Sequence, residues 1–191
     1  MSVEQITEFI AEGNLSEIRK IDNLQPVTIC GPFDVLCCAV ENYKGDLSII
    51  KYLVEEKNIQ SNRALNRALE CAHCNKSFIN LAIYLKNCGM FLVCKKLPLS
   101  CLATMKLVTS WGLKYDREDT LDRIFIWHGD DIFERVEYLY EVLQHPYPVT
   151  EKQLEMVKDD DDDTFYFLIN HCSVEQDKLS ELACRKRSNV L

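Results

Sequence analysis

The stretch LCCAVENYKGDLSIIKYLVEEK, residues 36–57, decides the fold. Its first segment, Leu36, Cys37, Cys38, Ala39 and Val40, is apolar and small, so a short helix there can pack closely against its neighbours. Tyr43-Lys44-Gly45 breaks that helix, and Gly45 lets the chain reverse. Leu47, Ile50, Leu53 and Val54 then recur at helical spacing, giving a second helix with one apolar and one charged face. Asp46 or Ser48 can cap its free amides. A helix–turn–helix unit of this kind cannot bury its apolar face alone and needs copies of itself on either side.

Such copies run outward in both directions. Ile6, Phe9 and Ile10, then Gly13-Asn14, then Leu15, Ile18 and Ile21 form a shortened version whose acidic outer faces suit an end cap. Asn23 to Pro32 is a turn-like connector. Ala64 to Cys74 predicts a small-residue helix, broken at Asn75-Lys76. Phe78, Leu81, Ala82 and Leu85 supply the next apolar face, and Gly89 stands where a helix C-terminus favours left-handed backbone. A shorter helix is expected over Met90 to Leu97, stopped by Pro98, and another over Leu102 to Val108, ending at Trp111-Gly112. Leu121 to Trp127 pairs with Ile132 to Leu143 across Gly129-Asp130. Leu154 to Val157 pairs with Thr164 to Cys172 across the run Asp159 to Asp163, and Leu179 and Leu182 mark a last helix. The breaks at Gly13, Gly45, Asn75, Pro98, Gly129 and Asp160 stand roughly 30 residues apart, save for a shorter step into Pro98.

Leu36, Ala39, Gly45, Ile49, Ile50, Lys51, Leu53 and Val54 fall in the pattern L-H-x-A-A-x-x-G-x-x-E-I-V-K-L-L-L, with extra residues between the helices at Asn42 to Lys44. The stretch therefore resembles an ankyrin repeat; the other units are degenerate, and the Thr-Pro-Leu-His signature is missing throughout. The expected fold is an all-α solenoid of five to six ankyrin-like repeats in one domain, with approximate units 1–30, 31–60, 61–89, 90–116, 117–148 and 149–191. The resemblance implies a non-catalytic binder of another protein. Divergent, Cys-rich versions are similar to those of large DNA viruses and intracellular pathogens, which engage host proteins.

Composition narrows the partners. The net charge of −8 disfavours nucleic acid, because phosphate binding needs a basic surface, and favours a basic protein face. Met1 to Asn14 carries acids and no basic n-region, and no apolar run is long enough to span a bilayer. These features predict a cytoplasmic protein with reduced thiols, no membrane contact and a monomeric state. Most of the cysteines stand where a small buried residue fits.

Chemistry-bearing patterns are few. Cys71, Cys74, Cys88 and Cys94 have near-zinc spacing, C-x2-C-x13-C-x5-C, but Cys71 and Cys74 sit on a predicted helix of small residues, where cysteine replaces alanine. A cysteine nucleophile needs a nearby base, and His73, His128, His145 and His171 all have ordinary surface, turn or helix-end positions. A Cys/His-dependent enzyme or a zinc protein is the alternative; the favoured reading has no enzyme, no cofactor and no metal. Counted from Asp159, the sixth and twelfth positions are Thr164 and Asn170, so the acidic run is no EF-hand loop. It reads as a solvated turn whose last acids suit a helix N-terminus, or as an acidic knob. Turn tips and short inner helices line the concave side of such solenoids. The candidate partner contacts are therefore Tyr43, Lys44, Trp127, His128, Asp159, Asp160 and Asp161.

Overall fold

The computed structural model describes residues 2–21, 24, 34–72, 75–92, 99–126, 129–157, 161–175 and 177–182. Among these the regular structure is helical, with no strand beyond an isolated bridge between Val149 and Cys172. Contacts divide the chain at Pro98, the break with the shortest step, into two compact units, Met1–Pro98 and Leu99–Leu191.

In the first unit, α1 (Val3–Glu12) opens on a capping box: Ser2 Oγ accepts from the Gln5 N–H, and Gln5 Oε1 accepts from the Ser2 N–H at 3.0 Å. Gly13, at φ 74°, closes it, and the Asn14 N–H reaches back to the Phe9 carbonyl at 2.8 Å. The Asn14 side chain then caps α2 (Leu15–Arg19). Asp34 starts α3 (Val35–Glu41) by accepting from the Cys37 N–H at 2.7 Å. Every residue from Val35 to Val40 is buried, so α3 is apolar on all sides and lies in the core. Its small side chains let α1 approach α3, as does α5 (Asn62–Cys71), while α4 (Ser48–Lys51) packs back on α3. α4 continues into a π-helical turn over Tyr52–Glu56, which buries Tyr52, Leu53 and Val54. Ser61 caps α5, which buries Ala64, Leu65, Ala68 and Leu69 against α6 (Ser77–Asn87). Fully burying each such leucine stabilises the unit by about 1.5–3 kcal/mol.

Gly89, at φ 92°, ends α6, and the Met90 N–H bonds to the Leu85 carbonyl. The expected helix from Met90 does not form over Met90 to Leu92: the cap turns the chain, and the Phe91 N–H donates to Asn62 Oδ1 at 2.9 Å. Residues 93–97 of that expectation, and nearly all of the connector 23–32, lie outside the described residues.

In the second unit, α7 (Leu102–Ser110) ends at Trp111 and Gly112, the latter at φ 85°. α8 (Thr120–Ile126) pairs with α9 (Ile132–Glu137), which widens into a π-helical turn over Tyr138–Val142. Thr150 and Gln153 form a second capping box at the start of α10 (Glu151–Glu155). α11 (Asp162–Ile169) packs on α9 and α10, and α7 also packs on α9. Residues 177–182 are helical, with Leu179 and Leu182 buried.

Arg135, with 0% exposure, sits inside this unit. Its Nε lies 3.0 Å from Asp131 Oδ1, and its Nη1 donates to the Leu99 carbonyl at 2.7 Å. Asp131 Oδ2 accepts from the Leu102 N–H at 2.7 Å, satisfying an orphan amide of α7. One ion pair thus joins the start of α7 to the start of α9. Among the described residues no helix is long and apolar enough to cross a membrane.

Candidate partner-binding site

The turn Asn42 to Asp46 is built by its own polar groups. Asn42 closes α3, with its N–H and its Nδ2 both donating to the Cys38 carbonyl. Gly45 takes φ 107°, which side chains rarely adopt. Asp46 accepts from the Ser48 N–H at 2.9 Å and from Ser48 Oγ at 2.6 Å, which fixes the start of α4. These bonds hold the Asp46 carboxyl below its ordinary pKa.

Tyr43 and Lys44 project from this framework. The Tyr43 ring meets Phe78 edge-on at 5.3 Å, and its hydroxyl donates to the Gly45 carbonyl at 3.3 Å. Burial, followed by the Asp46 charge, raises its pKa. Lys44 Nζ donates to the Ala11 carbonyl at 3.1 Å, in the last turn of α1, where a cation complements the helix dipole. Both residues line a pocket of about 300 Å³ between the first two helix pairs, with Ile10, Ala39 and Ile50 among the other lining residues. An apolar interior under an ammonium and a carboxylate can receive an amphipathic side chain.

Of the other expected contacts, Asp161 alone falls among the described residues. Asp161, in the second unit, is the N-cap of α11 and accepts from the Thr164 N–H at 3.1 Å, the helix-terminus role open to the last acids of its run. Trp127, His128, Asp159 and Asp160 lie outside the described residues, as do Cys74 and Cys94 of the zinc-like spacing. Cys71 and Cys88 are half-buried, and among the described residues no three His, Cys, Asp or Glu side chains gather as a metal site would require. Burial pushes the Cys37 thiol up to about 11, the opposite of an activated nucleophile.

A second pocket, of about 360 Å³, opens in the second unit beside His145 and Tyr147. The sequence shows that segment only as a Pro-rich turn, His145-Pro-Tyr-Pro148, and the buried aromatic contact to Tyr140 arises from folding. Trp111, where the α7 pattern ends, is half-buried. No family model, curated protein or solved structure matches the chain.

Proposed function

We propose that the chain is a non-catalytic protein-binding module, an all-α solenoid of five to six degenerate ankyrin-like helix pairs that meets its partner through repeat turns. In this reading α1, α3 and α5 are successive inner helices, and α2, α4 and α6 return beside them. The observation that carries the reading is the pocket between the first two pairs, with Tyr43 and Lys44 at one turn and Gly13 at the other. An aromatic held edge-on and a positioned ammonium lose little conformational freedom on binding, which suits them as contact residues. The partner is a protein with a basic surface, opposite the net charge of −8, and belongs to a host cell if the chain is a viral or pathogen factor.

Affinity capture from lysate with the full chain and with the Tyr43→Ala/Lys44→Ala double variant tests this. A protein retained by the wild type and lost from the equally folded double variant is the expected result. Identical capture by both would remove this turn from the interface.

A further inference from the structure

The second pocket differs in chemistry from the first. Its lining includes the carboxylates of Glu118, Asp119 and Asp122 and the rings of Tyr140, His145 and Tyr147, with no cation among the described residues that line it. The cations that reach those acids, Arg117 and Lys152, are themselves exposed side chains. Arg117 pairs with Asp119 at 2.9 Å, and Lys152 lies 3.5 Å from Asp122. Glu118 pairs with no cation among the described residues.

His145 supplies an independent observation. Its residue is only 8% exposed, and Nδ1 stands 2.9 Å from the Tyr115 carbonyl. A carbonyl only accepts, so Nδ1 carries the proton and Nε2 is left as a lone-pair acceptor. That nitrogen has no hydrogen-bond partner among the described residues, and the ring lines the pocket. The Tyr140 hydroxyl is spent on the Tyr147 carbonyl at 3.3 Å, and Gln153 Nε2 is spent on Asp122 at 2.6 Å. The pocket therefore offers acceptors beside aromatic faces: Tyr147 is 38% exposed and its ring lies 5.4 Å from that of His145.

We infer that this pocket receives an arginine side chain of a partner protein. A guanidinium is planar and rich in donors; it can stack on Tyr147 while its N–H groups meet Glu118 and His145 Nε2. An ammonium matches the charge but neither the plane nor the fork. The inference takes from the binding-module reading only that the arginine comes from a protein; it uses none of the residues of the first pocket.

Titrating the full chain with Nα-acetyl-L-arginine amide, and following the His145 and Tyr147 ring resonances by NMR, tests it. Saturable shifts at both rings are expected, with none from the neutral Nα-acetyl-L-citrulline amide and weaker binding of the lysine analogue. Glu118→Gln should weaken arginine binding about fivefold, the size of one partly exposed charge pair, and Tyr147→Ala should weaken it as well. Equal binding of citrulline or lysine, no saturable shift, or wild-type binding by both variants would overturn the assignment. Tyr43→Ala/Lys44→Ala leaves this titration unchanged, so each pocket stands or falls by itself.

Discussion

Asn58 and Gln144 share one left-handed backbone, at φ 56° and 51°, each two residues beyond a π-helical turn. The bonds around them correspond. Lys57 and Leu143 donate to the Tyr52 and Tyr138 carbonyls, both at 3.0 Å, and Ile59 and His145 donate to Leu53 and Leu139 at 2.9 and 3.1 Å. Tyr-Leu-x-Glu opens both turns, so the two units close a helix by the same local device. Asn tolerates left-handed backbone through its short polar side chain, whereas Gln carries the full steric cost of about 1–2 kcal/mol. Gln144→Gly should therefore raise stability by about 0.5 kcal/mol after the added entropy of the unfolded chain, and Asn58→Gly should change it less. Urea midpoints of the two variants check this; a destabilised Gln144→Gly would contradict it.

Arg135 is the most exposed to damage by substitution. Removing one member of a buried ion pair strands its partners, here Asp131 and the Leu99 carbonyl. Arg135→Ala should cost about 3–5 kcal/mol. Arg135→Lys should recover only part of that, because a single ammonium cannot reproduce the guanidinium fork. Gly129→Ala presses on the same group, since a Cβ there would lie 3.2 Å from Arg135 Nη2. Thermal unfolding of the three variants measures the ranking; a lysine variant as stable as wild type would refute it.

The Cys37 thiol, raised to about 11, should be almost inert in the folded chain. At pH 8 about a thousandth of it is thiolate, so alkylation should modify the half-buried Cys88, Cys101 and Cys172 first and Cys37 only on unfolding. Peptide mass spectrometry after a timed iodoacetamide pulse reads the order. Early labelling of Cys37 would mean that α3 is not buried as described.

His145 makes stability depend on pH. Burial pushes its pKa below the ordinary 6.5, against the Tyr115 carbonyl and the Asp116 charge, which oppose the shift. The folded chain thus prefers the neutral ring. Stability is full above 6.5 and is lost as pH falls from there towards the lowered value, because the unfolded chain binds the proton first. His145→Asn keeps a donor for Tyr115 without titrating. Between about pH 7.5 and 5.5 its urea midpoint should fall less than that of the wild type; equal losses would assign the slope to other groups.

Much of the fold is legible in the sequence because its punctuation is local. Gly13, Gly89 and Gly112 each take the left-handed backbone that ends a helix, and the apolar spacing around them gives the helices. Asp46 also works as a local signal, though it binds Ser48 from ahead of Leu47, the residue that precedes α4. Ser2–Gln5 and Thr150–Gln153 spell capping boxes that apolar spacing passes over. Arg135 was hidden for another reason: it shares a stripe with Ile132, Val136 and Leu139, where periodicity counts a charge as an interruption. Its partner Leu99 is brought to it by folding alone. The Tyr43–Lys44 turn could be found from its residues, but the carbonyl that Lys44 reaches, Ala11, and the pocket beside it could not.

Protein binding by the Tyr43 turn is the proposed function in its most direct form. Benzoylphenylalanine placed at Tyr43 of the full chain, irradiated in the cells that express it, interrogates that turn directly. The same group at the exposed Glu8 of α1 serves as the control. A discrete protein adduct from position 43, absent from position 8 and diminished by Lys44→Ala, is the predicted result. The same adducts from both positions, or none from position 43, would contradict the claim.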